Sequence, residues 1–418
     1  IIITTLMAAY AAQLNHLFYK DFAPFYDSSG YLLSLAWVLD AYHSGGLSKA
    51  FEQAVKHSGT VSLPFMQFAL LAPFIDRPER SLAPYLQLPW LLTFAASLFT
   101  YFYLFCKKNI YLSIATTLPF LGISAMWKFD GGLSDFRMDL LLYMLLSTTF
   151  VWFLSSRYTS SLWVWVVAGI FLGLTCLTRA TTPIYAFICL LPLLALRIIF
   201  GQYTRRNTLV GALILASVAF LVSGWFYFLK FEDLYHYYFI WNTDANADLL
   251  ISESLMHTRF AIAGVGPFSL CIALIFSFYG FLRVLSFGKR RFFSFKELIL
   301  KLDWESLWLG LAPIIFLVIR GAGLNPYVVL PSAFGLVMFL VSPSLVSPTK
   351  LTESKRKHYL SESITSVKIL LLAAILLFVL SAFSGINNHI NPNEGYRFQN
   401  MRPLKSLIHT VDQDAKYR

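Results

Sequence analysis

The sequence predicts an all-α, polytopic membrane protein, and three observations carry that expectation. Hydrophobic residues make up 57% of 418 residues, only 13% are charged, and the mean hydropathy is +0.63, far from the balance of an ordinary soluble domain. Apolar runs of helical length recur from end to end, without the short alternating strands that a barrel would require. Lys and Arg are densest in every second loop between those runs, as the positive-inside rule expects of a chain that crosses a membrane repeatedly.

Taken in order, the expected spans are residues 1–19, 84–105, 110–127, 138–154, 163–178, 181–196, 208–229, 261–282, 304–319, 326–342 and 368–385. That makes about eleven helices, since about 20 residues are needed to cross. The chain opens at Ile1 within an apolar run and without an initiator Met, so it is expected to lack its true N-terminus, and a signal peptide ahead of it stays open. Between the first two spans lies a long loop, 20–83, read as two interfacial helices, 28–43 and 47–57, broken at Gly45-Gly46. The run Leu63 to Ile75 is short, holds Pro64 and Pro73, and runs straight into Asp76-Arg77-Pro78-Glu79-Arg80, so it is expected to be interfacial or re-entrant. Residues 1–385 then form one transmembrane domain, and 386–418 a polar tail too short to fold alone.

Charge sets the orientation. With Leu63–Ile75 not spanning, loops 106–109, 155–162, 197–207, 283–303 and 343–367 share one side. With the flanking Glu305 and Lys368 they hold 17 Lys/Arg against 5 Asp/Glu, leaving 16 and 17 of the totals of 33 and 22 for everything else. The inside loops are shorter and so denser in Lys/Arg, which marks them as cytoplasmic. The net charge of +11 is therefore read as topology and not as nucleic-acid binding. Lys289-Arg290-Arg291 and Lys355-Arg356-Lys357 read as anchors to anionic lipid headgroups. Function is sought on the opposite face: loop 20–83, the connection 128–137, the loop 230–260, the turn 320–325 and the tail.

On that face Phe25-Tyr26-Asp27-Ser28-Ser29-Gly30-Tyr31 puts a carboxylate in a loop at the membrane surface. Asp27 suits a helix N-cap, and equally a general base that takes the proton of an attacking hydroxyl. Asp130, Asp135 and Asp139 flank one short connection with Lys128 and Arg137. Asp139 stands against a wholly apolar run, where a charge is costly unless paired, and Arg137 is its nearest partner along the chain. Arg179, in Leu177-Thr178-Arg179-Ala180-Thr181-Thr182-Pro183, and Arg320, in Arg320-Gly321-Ala322-Gly323, read either as headgroup anchors or as ligands for a phosphate at that depth. His43, His57, His236 and His257 lack metal-ligand spacing, and Asp412-Gln413-Asp414 reads as a solvated end. Cys106, Cys176, Cys189 and Cys271 show neither a disulfide framework nor a zinc pattern and read as small buried hydrophobes. No expected span carries an acid or base at mid-membrane, which argues against an ion-coupled pump. Walker and Ser/His/Asp patterns are missing too.

These residues resemble the GT-C glycosyltransferases, in the branch of bacterial aminoarabinose transferases, galacturonic acid transferases and protein O-mannosyltransferases. Asp27 with Tyr31 and Ala36 is similar to that family's acidic first loop, and Arg137-Met138-Asp139 before Leu-rich sequence resembles its second acidic position. Ala168-Gly169-Ile170-Phe171-Leu172-Gly173-Leu174-Thr175-Cys176-Leu177-Thr178-Arg179 is similar to its small-residue segment, with Arg where Lys is usual, and Asn325-Pro326-Tyr327-Val328-Val329-Leu330-Pro331 to its Tyr–Pro segment. Two departures stand out. Ser62-Leu63-Pro64 replaces a usual Lys-Pro-Pro, so that Lys56 or His57 would have to supply the missing phosphate ligand, and the soluble C-terminal domain of some relatives is absent from this sequence.

The resemblance implies an inverting transfer of a sugar from a polyprenyl-phosphate carrier to a lipid, glycan or protein acceptor, on the extracytoplasmic face of a bacterial plasma membrane. Asp27 would be the base, Asp139 or Asp135 would position the acceptor or Arg137, and Arg179, Arg320 and Tyr327 would hold the phosphate. The sequence requires no metal, and the resemblance to the wider superfamily leaves a divalent ion open. Two other readings keep the fold without this chemistry: a lipid-linked sugar flippase or assembly subunit, and a polysaccharide polymerase or ligase that depends on its outer-face Arg residues.

Overall fold

The computed structural model describes residues 26–56, 62–76, 82–127, 132–133, 138–179, 182–200, 205–236, 264–288, 303–320, 330–345, 366–382 and 384, with backbone alone at 26–29, 200, 205, 283–288, 316–320 and 331. Every regular element among them is helical, and no strand occurs. In chain order the elements are α1 (Tyr26–Lys56), α2 (Leu63–Leu71, prolonged by a 3₁₀ turn Ala72–Phe74), α3 (Leu82–Thr100, ending in a π turn Tyr101–Phe105), α4 (Ile110–Leu121), α5 (Ser124–Trp127), α6 (Asp139–Ser155), α7 (Trp163–Cys176), α8 (Thr182–Phe200), α9 (Arg205–Leu229), α10 (Phe231–Tyr235), α11 (Pro267–Gly288), α12 (Trp304–Arg320), α13 (Leu330–Leu345) and α14 (Ser366–Ala382). Three stretches are long and apolar enough to cross a membrane: Leu82–Phe105, Thr182–Ile199 and Arg206–Leu229. The predicted span 1–19 lies outside the described residues. The other ten predicted spans fall largely on helices over their described residues, and those at 84–105, 181–196 and 208–229 correspond to the three long apolar stretches. The run 110–127 is two helices, because the chain leaves helical geometry at Gly122-Ile123. Leu63–Phe74 is too short to cross, in line with its reading as a non-spanning piece.

Helix α6 organises the bundle. All of its 17 residues except Trp152 are buried, so it is apolar all round and walled by neighbours on every side. It packs against α3, α7 and α13. The other helices meet through small residues, which let backbones approach closely where apolar contact alone gives little preference between protein and lipid. Gly169 and Gly173, four apart on α7, lie against Leu215, Val218, Ala219 and Val222 of α9. A Cβ on Gly335 of α13 would run into the backbone of Leu309 and Gly310 on α12. The glycines shared with the family-like segment thus have a packing role in this chain.

Prolines inside the helices leave carbonyls that need other donors. Pro192 cannot bond the Ile188 carbonyl in α8, and the Trp308 indole of α12 donates to it at 3.3 Å. Pro343 likewise releases Phe339 in α13, which accepts from Ser342 Oγ at 2.8 Å.

α1 divides as the sequence predicts. Gly45 and Gly46 leave helical geometry, and Gly46 takes φ +73°, the left-handed region that favours glycine. Leu35, Val38, Leu39, Ala50 and Ala54 form the buried face, and Tyr31 meets Phe65 of α2 with ring centroids 6.0 Å apart.

One end of the bundle is closed by a charge clamp. Arg157, just past α6, forms a two-pronged pair with Asp303 (2.7 and 3.1 Å) and donates to Tyr101 Oη at 3.1 Å. Arg197 near the end of α8 does the same with Glu305 (2.7 and 2.6 Å), donates to Ser156 Oγ, and lies 4.1 Å from the centre of the Phe153 ring. Asp303 also accepts from the Ser306 amide and hydroxyl, capping α12. Lys108 donates to the Leu345 carbonyl at the end of α13, where a cation is favoured. Burial pushes the Asp303 carboxyl up, but the Arg157 guanidinium and the Ser306 hydrogen bonds outweigh it and hold its pKa below the ordinary carboxylate range.

Arg157→Met is expected to destabilise the fold by about 3–5 kcal/mol, because a buried carboxylate loses its partner, as read by thermal unfolding in detergent; a loss under about 1 kcal/mol would mean that the charges are solvated. Because the folded-state pKa of Asp303 is lowered, its contribution is full above the unfolded pKa and disappears as pH falls through the folded value. The wild type should therefore lose thermal stability more steeply than Asp303→Asn below about pH 4.

Candidate functional site

The opposite end of α6 gathers the described parts of three segments that the sequence placed on the functional face, at Ser62–Leu63, Gly132 and Lys230. Helix α6 is about 25 Å long, with Asp139 at its first residue and the clamp beyond its last. At the Asp139 end the turn after α7 meets the start of α2: the amides of Ser62 and Leu63 both donate to the Leu177 carbonyl at 3.0 Å. The positive end of α2 thereby abuts the negative end of α7. Tyr227 Oη of α9 donates to the Cys176 carbonyl at 2.9 Å, and Lys230 Nζ to the Lys56 carbonyl at 2.6 Å. Gln87 of α3 donates to the Gly132 carbonyl at 3.4 Å.

The chemical centre of this end is an ion pair between Asp139 and Arg179. The Asp139 side chain is 4% exposed and that of Arg179 is 21% exposed. The carboxylate is sealed inside, while the Arg179 side chain is partly exposed. The turn that carries Arg179 is braced from within: Thr178 Oγ1 donates to the Thr175 carbonyl, and the Thr182 amide to the Arg179 carbonyl at 3.1 Å.

An apolar groove of about 950 Å³ runs between α8 and α9. Its α8 wall carries Pro183, Ile184, Phe187, Leu190, Leu191 and Leu194; its α9 wall runs from Leu215 to Phe228. Both are single helix faces, and each spans roughly 17–20 Å at 1.5 Å per residue. Phe187, Phe220 and Phe228 are 63%, 58% and 74% exposed, so the groove is open along its side. Its polar members are spent on backbone: Ser223 Oγ donates to Ala219 and Tyr227 Oη to Cys176. Pro183 and Tyr227 bring one end of the groove to the level of Arg179.

The predicted site residues are only partly brought together. Asp139 and Arg179 meet, so Asp139 has a partner in the turn between α7 and α8; Arg137, the cation nearest to it along the chain, lies outside the described residues. Asp27 lies in the first turn of α1 and not in a loop ahead of it, because helical geometry begins at Tyr26; its side chain lies outside the described residues. An acid in a first turn still faces the positive end of the helix dipole. Tyr31 packs on Phe65. Lys56 pairs with Glu52 one turn back on an exposed face, and its ammonium holds the Glu52 carboxyl below the usual range. Arg320 is the last residue of α12, with its side chain outside the described residues. His57, Asp135, Arg137 and Tyr327 lie outside them altogether. Among the described residues, no three His, Cys, Asp or Glu side chains are grouped as metal ligands, and the four cysteines are free.

Sequence reasoning missed Ser62, Thr182, Tyr227 and Lys230. Ser62 and Thr182 each stand just ahead of a proline-containing first turn, a signal that was open to it. No protein family, curated protein or solved structure matches this chain.

Arg179→Met leaves a sealed carboxylate without a partner, whereas Asp139→Asn leaves a guanidinium that reaches solvent. The first is therefore expected to lower stability by about 3–5 kcal/mol and the second by clearly less. Thermal unfolding of both variants checks this; equal losses would contradict the asymmetry.

Proposed function

We propose that the chain is a multi-pass membrane glycosyltransferase that moves a sugar from a polyprenyl-phosphate carrier to a lipid, glycan or protein acceptor on the extracytoplasmic face of a bacterial plasma membrane. The observation that carries this reading is the Asp139–Arg179 pair, whose Arg179 lies four residues ahead of Pro183 in the wall of a long open apolar groove. A lipid-linked phosphate needs this combination: an apolar slot for the chain, and a guanidinium at the depth of the headgroup. Ser62 and Lys230, from loops predicted to be extracytoplasmic, bond near that end, and Lys108, Arg157, Arg197 and Asp303, from loops predicted to be cytoplasmic, bond at the clamp, which supports an up-and-down crossing.

The chemistry balances with residues of this chain. The Asp27 carboxylate takes the proton of the acceptor hydroxyl while that oxygen forms a bond to the anomeric carbon from the side opposite the phosphate. The bond from the anomeric carbon to the phosphate oxygen breaks, and polyprenyl phosphate leaves with the electron pair. Phosphate is a good leaving group, so it needs charge stabilisation more than protonation. Arg179, with Arg320 and Tyr327 as further members, supplies it as preorganised donors. Asp139 becomes a positioning residue that holds Arg179 in place and does not transfer the proton, and Asp135 is left to orient the acceptor.

The test is transfer of radiolabel from a panel of polyprenyl-phosphate sugars in proteoliposomes, comparing wild type with Asp27→Asn. Transfer by the wild type, reduced about 100-fold or more in a variant that still folds, is the expected result for loss of a general base. Equal transfer would remove Asp27 from the chemistry. No transfer from any donor would favour a flippase or an assembly subunit that keeps the groove without the reaction.

A further inference from the structure

The charges inside the clamp are paired with one another, but three described lysines stand outside it at the same end of the bundle. Lys108 serves the fold: it is buried and donates to the Leu345 carbonyl at 2.6 Å. Lys107 and Lys368 are exposed, and the ion pairs among the described residues include neither of them. Lys107 stands two residues ahead of Asn109, which caps α4 by accepting from the Leu112 amide. Lys368 lies in the first turn of α14, with its ammonium 5.8 Å from the centre of the Tyr111 ring in the first turn of α4, within the range of a cation–π contact.

The backbone at Lys107 is strained. Where α3 ends in its π turn, the Cys106 amide bonds to the Tyr101 carbonyl and the Lys108 amide to the Phe102 carbonyl, and Lys107 between them takes φ +52°. This is the left-handed position that closes a helix, where glycine is the ordinary residue. Among the described residues Lys107 is the one non-glycine with a positive φ. Strain of this kind is retained where the side chain has a use, and no described carboxylate gives this ammonium one.

The surface that leads away from these cations is apolar. Helices α4 and α14 run side by side in the same direction, since Lys368 meets Tyr111 near their starts and Ser381 Oγ donates to the Gly122 carbonyl at 2.6 Å near their ends. Ile114 of α4 is exposed, and so are Leu372 and Leu376, which follow Lys368 at one and two turns on the same face of α14.

We propose that the seam between α4 and α14 binds an anionic glycerophospholipid of the leaflet at the clamp end. Lys107 and Lys368 hold its phosphate, and its acyl chains lie on Ile114, Leu372 and Leu376. Charge complementarity selects the headgroup: a zwitterionic lipid brings its own ammonium to two others and gains less. The apolar strip selects a lipid over a soluble anion or an acidic protein segment, which would leave it uncovered. The Tyr111 ring keeps the Lys368 ammonium over the seam. This inference is independent of sugar transfer and needs only that the bundle crosses a membrane.

The test titrates the full chain in detergent with dioleoylphosphatidylglycerol or dioleoylphosphatidylcholine and counts bound lipids by native mass spectrometry. The wild type is expected to prefer phosphatidylglycerol more than about tenfold. Lys368→Gln and Lys107→Gly should each lower that preference about fivefold, the contribution of one lysine at an anionic lipid surface. Lys368→Arg should keep it, and so should Lys49→Gln, which removes an exposed lysine from α1. In phosphatidylcholine the Tm of Lys107→Gly should rise, because the left-handed strain is gone; a fall would assign this lysine to the end of α3 and overturn its part in the site. No wild-type preference, an unchanged preference in both variants, or an equal loss in Lys49→Gln would overturn the proposal. Glycerol phosphate that competes as well as the lipid would overturn it too, in favour of a soluble anion.

Discussion

A charge at the end of a fully walled helix must be neutralised by another segment of chain, and the described fold follows from meeting that condition at both ends of α6. Asp139 begins the helix and Arg157 follows it. Neither can rely on water, since α6 is enclosed by α3, α7 and α13. Arg179 answers the first from the turn between α7 and α8; Asp303 and Glu305 answer the second from the start of α12, together with Arg197 from α8. These pairings tie α6, α8 and α12 together at fixed heights. Small-residue contacts such as Gly169 and Gly173 on α9 then set the lateral spacing.

The two ends differ in how completely they are satisfied. At the clamp both guanidiniums grip carboxylates with two prongs, and their remaining donors reach Tyr101 and Ser156. That end is finished by the chain alone and reads as a structural fastening. At the other end one sealed carboxylate holds one guanidinium that reaches the surface. The amides of Ser62 and Thr182 bond to the same turn, and their hydroxyls are without hydrogen-bond partners among the described residues.

Much of the fold was legible in the sequence because apolar length and helix breakers are local properties. The run 84–105 corresponds to Leu82–Phe105, and Gly45-Gly46 marks the break in α1 because a left-handed φ at Gly46 needs no tertiary help. The run 110–127 was harder to read: composition favours one helix through Gly122-Ile123, where the chain instead turns. Asp27 sits one residue inside α1, within the ordinary uncertainty of a helix end. The site was half legible. The cost of a charge against an apolar run correctly marked Asp139 and Arg179 as residues that need partners, and the alternation of loops put them on one face. That they pair with each other is a fact of packing across 40 positions of sequence, which no local pattern reveals. The same limit hid the clamp: counting charges placed Arg157 and Arg197 among the basic loops, whereas the fold buries them in a neutral group.

The central claim is that the Asp139–Arg179 end and the clamp end face opposite sides of a membrane. It is tested most directly by single-cysteine labelling in a cysteine-free background. Lys56, whose side chain is 66% exposed near the first end, and Lys107, exposed beside the second, are each replaced by Cys and treated with a membrane-impermeant maleimide in intact cells. The account predicts labelling at Lys56→Cys in intact cells and at Lys107→Cys only after permeabilisation. Labelling of both from the same side, or the reverse pattern, would contradict it.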